Sequence, residues 1–141
     1  MELNECINFE LNIVQNTVLN YFKGKLAPYD VTPIQYALLK CLWNEDLQTP
    51  TQLAQTLRLD TSSITGLLAR LEKKGLIERI YSQQDRRSIQ VHILENGAAL
   101  QKPIESAIET ANREITAGIS PEDYKQFRSL LKVIESNAKG K

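Results

Sequence analysis

The run Ser82-Gln83-Gln84-Asp85-Arg86-Arg87-Ser88 sets two guanidinium groups beside a carboxylate, with no apolar residue to shelter any of them. A guanidinium keeps its charge at every physiological pH and offers a fork of donors that fits carboxylates and phosphates. Asp85 stands two residues before Arg87, within reach to orient that side chain by charge-assisted hydrogen bonds. An arginine aimed in this way suits a narrow minor groove, where negative potential is concentrated. Arg86 is left pointing to the other side, toward phosphate.

A second group of residues supports that chemistry. Thr61-Ser62-Ser63-Ile64-Thr65-Gly66 places short hydroxyls at the start of a helical segment. Ser62, Ser63 and Thr65 can donate or accept toward bases and phosphates, and Gly66 permits a close backbone approach. Thr51, Arg70 and Arg79 add further candidates for contact with a nucleic-acid backbone. Each of these residues taken singly also fits a plain solvated face. Together, in one basic stretch, they point to a polyanion.

Net charge does not explain the arginines, because 17 basic residues balance 17 acidic ones. Their distribution is uneven. Residues 1–49 hold three basic against six acidic residues, residues 50–93 seven against four, and residues 94–141 seven of each. A positive centre with neutral or acidic ends fits local attraction to a polyanion.

Other chemistries find little support. Catalysis needs a nucleophile, base and orienter, or a metal set, yet His92 is the only histidine and no glycine-rich phosphate loop is present. Cys6 and Cys41 lie 35 residues apart with no neighbouring Cys or His to make a zinc pattern. Cys41, inside YALLKCLW, reads as a small buried hydrophobe. No enzyme, cofactor or metal is expected. No stretch approaches the ~20 apolar residues that cross a bilayer. The acidic opening MELNECINFE lacks the order of a signal peptide, so a cytoplasmic protein is expected.

These residues need a scaffold. From Leu3 to Leu26, Ile7, Leu11, Val14, Val18, Tyr21 and Phe22 recur at spacings of three and four, which predicts a long amphipathic helix. Asn4, Asn8, Asn12, Asn16 and Asn20 occupy another face, either as a solvated stripe or as amides that bond to a partner or into a cavity. Thr32 and Pro33 start a second helix, with Ile34, Ala37, Leu38, Cys41 and Leu42 as its buried stripe. Thr49-Pro50-Thr51-Gln52 repeats that start and adds a capping-box glutamine, opening a short third helix with Leu53, Ala54 and Leu57. Asp60 or Thr61 caps a fourth helix that buries Ile64, Leu67, Leu68 and Leu71 and ends at Lys73-Lys74-Gly75.

The period then falls to two. Ile77–Tyr81 and Ile89–Ile93 alternate on either side of the polar run, which predicts a hairpin with a seven-residue loop. A two-residue turn would reverse the chain, so the longer arginine-bearing tip suggests a reach beyond the fold. A helical pattern returns from Glu95 to Ala117, and Ser120-Pro121 opens a last helix carrying Phe127, Leu130, Leu131 and Ile134. The expected fold is mainly α with a small β-hairpin wing, in a single domain over 1–141. A winged helix-turn-helix lobe covers 32–95, flanked by helical dimerisation regions at 1–31 and 96–141. The outer helices carry more apolar surface than that small core can bury, and a second copy of the chain would cover it.

LDTSSITGLLARLEKKGLIER, followed by DRRS and VHILENG, resembles the winged helix-turn-helix of the MarR (multiple antibiotic resistance regulator) family. The recognition-helix cadence and the acid–arginine pair of the wing match closely, and the likeness runs over essentially the whole chain. Leu94-Glu95-Asn96-Gly97 lacks the threonine that usually opens the following helix, so a different cap is expected there. The resemblance implies a homodimer that binds a pseudo-palindromic operator in double-stranded DNA, usually as a repressor. It makes Arg87 the minor-groove arginine, Asp85 its orienter, and Ser62, Ser63 and Thr65 the major-groove readers.

The resemblance also implies release by a small aromatic ligand held between the dimerisation helices and the DNA-binding lobe. Tyr21, Phe22, Tyr36 and Trp43 are candidates for its lining, and equally plain core. Another branch of the family senses oxidants through a cysteine in the first helix, a reading that Cys6 invites. Counted back from Thr32, however, Cys6 lies a residue or two early, and Glu2, Glu5 and Glu10 would repel a thiolate. A winged-helix module that binds proteins and not DNA is the rival from another class.

Overall fold

The computed structural model describes residues 1–83 and 88–140. After a single 3-10 turn at Leu3–Glu5, helix α1 runs from Ile7 to Leu26, and a second 3-10 turn at Ala27–Tyr29 leads on. Three compact helices follow: α2 (Pro33–Asn44), α3 (Pro50–Leu57) and α4 (Thr61–Lys73). Strands β1 (Ile77–Tyr81) and β2 (Ile89–Ile93) pair antiparallel, with Ile77 opposite Ile93 and Tyr81 opposite Ile89. Helices α5 (Glu95–Ala99), α6 (Gln101–Ile115) and α7 (Pro121–Lys139) complete the chain. The architecture is the expected winged helix-turn-helix between outer helices.

Local chemistry sets most of these boundaries. Thr32 and Thr49 each accept a hydrogen bond from the glutamine N–H three residues on, and Gln35 and Gln52 reach back to the threonine N–H groups. Both helices therefore begin with a capping box, although sequence reading assigned one only to Thr49; the Thr-Pro-x-Gln spacing at 32–35 carries the same signal. Asp60, not Thr61, caps α4. Leu94 stands at the head of α5 with no side-chain cap.

The helix expected over Glu95–Ala117 is two helices, broken at Leu100. Pro103 explains the break. It has no N–H to bond to the carbonyl of Ala99 and its ring crowds that carbonyl, so a proline is tolerated only in a helix's first turn. Starting α6 at Gln101 puts it there.

The core is a single cluster gathered from α2, α3, α4, the hairpin and α6. Leu38, Leu39, Leu42, Leu53, Leu67, Leu71, Ile77, Val91 and Ile104 are all within 2% of complete burial. Leu26 and Val31 attach the end of α1 to it. In α2 the buried stripe is rotated from the expectation: Leu39 and Gln35 are inside, Ile34 is exposed, and Cys41 is only half-buried.

The outer helices are different. Ile7, Leu11, Ile13 and Val14 of α1 are exposed, as are Tyr124, Phe127, Leu130, Leu131 and Val133 of α7, which buries no residue at all. That is far more contiguous apolar surface than scattered surface leucines account for. The asparagine stripe of α1 is exposed along its whole length.

Candidate nucleic-acid interface

The helix-turn-helix is built so that α4 is divided lengthwise. Ile64, Leu67, Leu68 and Leu71 are buried in the core, which fixes the helix against rotation. Thr61, Ser62, Ser63, Thr65 and Arg70 face outward, and so does Thr51 in the first turn of α3. The Asp60 carboxylate accepts from the Ser63 N–H at 2.7 Å and from the Ser62 hydroxyl at 3.0 Å. Those bonds, the backbone N–H first, hold the Asp60 carboxyl below the usual range, and a charged cap at the helix's positive end is favourable. Thr65 bonds back to the Thr61 carbonyl at 2.8 Å, which leaves its oxygen lone pairs facing out.

Gly66 and Arg70 form one surface. A side chain added at Gly66 would lie 3.5 Å from the Arg70 guanidinium, which is draped along the helix at that point. The helix thus presents hydroxyls at its head and a guanidinium one turn later.

Arg79 is held differently. Its Nη2 donates to Glu72 Oε1 at 2.8 Å and its backbone N–H to Glu72 Oε2 at 3.0 Å. Arg79, a candidate for backbone contact, has its guanidinium bonded across from β1 to the last turn of α4, which joins the hairpin to the helix. Glu72 is correspondingly held below the usual carboxylate range, the Arg79 hydrogen bond being the largest cause. Arg58 stands at the end of α3 in the left-handed region, φ 56°, and pairs with Glu135 of α7 at 2.7 Å.

Asp85, Arg86 and Arg87, the residues on which the wing expectation rests, lie outside the described residues. The strands that carry them are defined up to Tyr81 and from Ile89, so the arm begins and ends where the alternation predicted. Among the described residues no group of His, Cys, Asp and Glu side chains could hold a metal ion, and no helix is long and apolar enough to cross a membrane. Tyr21, Phe22, Tyr36 and Trp43 are all half-buried, with the Tyr36 and Trp43 rings 6.2 Å apart. Trp43 also donates its Nε1–H to the Gly97 carbonyl at 3.0 Å. Cys6 sits at the N-cap of α1, partly buried.

Sequence reading missed several residues that shape this surface. Lys74 at the end of α4 donates to Gln35 Oε1 at 2.9 Å and to the Asp30 carbonyl at 2.5 Å. Asp46, in the turn after α2, binds β2. Neither pairing leaves a signal in local spacing.

Comparison with known proteins agrees with the geometry. The MarR family model matches residues 31–89. The organic hydroperoxide resistance transcriptional regulator of Bacillus subtilis is 31% identical over 132 residues, covering 93% of this chain and 88% of that protein. A mutant MarR from E. coli complexed with operator DNA superposes with a TM-score of 0.85 at 25% identity, over 95% of this chain and 98% of that one. CouR from Rhodococcus jostii RHA1 bound to p-coumaroyl-CoA gives 0.81 at 26% identity, over 95% and 94%.

Proposed function

The chain belongs to the MarR family of transcriptional regulators, and from that premise we propose that it works as a cytoplasmic homodimer binding a pseudo-palindromic operator as a repressor, released by a small aromatic ligand. The division of α4 carries the reading: a helix locked by four buried side chains turns the hydroxyls of its first turn and, one turn later, Arg70 to the outside. Ser62, Ser63 and Thr65 read base edges in the major groove. Arg87, aimed by Asp85, enters the minor groove, while Arg86, Arg70 and Thr51 meet phosphate and Gly66 lets the helix approach closely. Arg79 acts one step back, by holding the hairpin to α4.

Dimerisation is supported by the exposed apolar faces of α1 and α7. Charge agrees with it: Glu2, Glu5 and Glu10 flank the head of α1, and Lys125, Arg128 and Lys132 line one side of α7. Two copies set half-sites about one helical repeat apart, ~34 Å, and a ligand that prefers another spacing lowers affinity by population shift.

The test is fluorescence anisotropy on duplexes from the region upstream of the chain's own gene, at two salt concentrations. The expected result is a log-affinity against log-salt slope of several units. Binding that is weak and indifferent to salt and to Arg87 would favour a protein-interaction module. A second reading, oxidant sensing through Cys6, is favoured by the likeness to the organic hydroperoxide resistance regulator and by the cysteine's place at the head of α1. Mild peroxide followed by mass spectrometry decides it; DNA release that persists in Cys6→Ser removes the thiol from the mechanism.

A further inference from the structure

The turn between α2 and α3 is bent sharply, with Leu47 in the left-handed region at φ 62°, where a non-glycine residue is uncommon. So bent, it brings Asp46 and Gln48 to the free edge of β2. The Gln48 carbonyl accepts from the Val91 N–H at 2.8 Å. Asp46 Oδ1 accepts from the Ile93 N–H at 2.8 Å, and Asp46 Oδ2 lies 2.5 Å from Nδ1 of His92. In an antiparallel pair alternate residues turn their N–H groups away from the partner strand. Residues 91 and 93 are the outward ones here, and the carboxylate stands in for a strand carbonyl at the second.

The turn is itself anchored. Gln48 Nε2 donates to the carbonyls of Cys41 at 2.9 Å and Glu45 at 2.7 Å, closing the C-terminal end of α2. Strand β2 is thus fixed at three successive residues to a turn that is fixed to α2. On this edge the backbone bond at Val91 fixes one point of the strand; the two bonds from Asp46 extend the hold to its base, beside the Arg79–Glu72 tie of β1 to α4.

We propose that Asp46 is a positioning residue for DNA binding, setting the angle at which the hairpin leaves the helical body and hence the reach of its arginine segment. From Ile93 to Ile89 the strand spans about 13 Å, at ~3.3 Å per residue. A swing of roughly 15° at its base moves Ile89 by about 3 Å, the length of a hydrogen bond. The inference rests on the reading of the wing as a DNA-binding arm.

The test is a double-mutant cycle on operator affinity with wild type, Asp46→Ala, Arg87→Ala and the double variant. Asp46→Ala is expected to weaken binding on the order of tenfold, the worth of a hydrogen bond to a charged group, and to add less than about twofold once Arg87 is gone. Asp46→Asn keeps an oxygen for the Ile93 N–H and should stay within about threefold of wild type. Amide exchange should show Ile93 deprotected in Asp46→Ala while α4 stays protected. If Asp46→Ala does not fold, His92→Phe removes one of the two bonds and carries the same cycle with a smaller loss. Equal losses in both backgrounds, or none, overturn the positioning role while the Arg87→Ala loss keeps the wing reading. An Arg87→Ala variant that binds like wild type overturns both.

Discussion

Lys74 Nζ donates to Gln35 Oε1 at 2.9 Å, and Gln35 is the one polar side chain that is buried among the described residues. The same ammonium reaches the Asp30 carbonyl, and Gln35 Oε1 also accepts from the Thr32 N–H at 3.2 Å. The end of α4 is thereby strapped to the connection between α1 and α2 and to the first turn of α2.

Replacing Lys74 by Met keeps the apolar stem and removes the donor. Gln35 Oε1 then keeps only the Thr32 N–H, and the expected loss of stability is about 1–3 kcal/mol. Urea denaturation measures it. Combining Lys74→Met with Gln35→Leu should recover part of the loss, because no buried acceptor is then left poorly satisfied.

Gly97→Ala should be among the more damaging single changes. An added Cβ would lie 2.4 Å from the Leu76 carbonyl oxygen and 2.6 Å from Ile93 Cδ1. Leu76 O is held by the Leu94 N–H at 3.0 Å and Gly97 O by Trp43 Nε1, so neither backbone can withdraw cheaply. Overpacking of this kind costs about 1–3 kcal/mol, to be read as a fall in Tm.

Acid should destabilise the chain through its cross-element ion pairs. Hydrogen bonds from Arg79, Lys40, Lys25 and Arg58 hold Glu72, Glu105, Glu114 and Glu135 below the ordinary glutamate value of 4.5. The stability they confer is complete above that value and is lost as pH falls through the lower folded ones. Lys25 and Lys40 are raised by the same bonds, so their contribution holds below 10.5 and fades as pH rises above it. Denaturation midpoints followed down to about pH 3 should fall, and Glu105→Gln should flatten that fall.

Phe127→Glu together with Leu131→Glu should yield a folded monomer. Both side chains are about two-fifths exposed and belong to no part of the core. Light scattering should show the halved mass, and operator affinity should collapse because a single half-site contact remains.

Arg87→Ala should weaken operator binding by about 1–3 kcal/mol and reduce the salt slope by about one. Arg79→Ala, with its partner Glu72 on the same chain, should leave that slope nearly unchanged and show its effect in thermal stability.

Much of the fold was legible in the chain itself. The change of period from 3.6 to 2 placed both strands at the residues where they occur, and the Thr-Pro starts and Lys-Lys-Gly stop bounded the compact helices. These signals are local: a cap, a proline or an apolar stripe acts within one or two turns of where it is written. The break at Leu100 is not in the helix expected over Glu95–Ala117, although its signal, Pro103, is just as local. The apolar surplus of α1 and α7 was equally visible, because amphipathic spacing shows a face whether or not the same chain covers it.

What tertiary structure alone decided is which distant residues meet. Arg79 reads as a candidate for phosphate contact and is paired with Glu72; Asp46, which no local pattern singles out, completes the edge of β2. Lys74 read as a helix-end charge and satisfies a buried glutamine 39 positions earlier. Such pairings depend on the angles at which packed elements cross. Those angles follow from the sum of core contacts and not from any spacing within one segment.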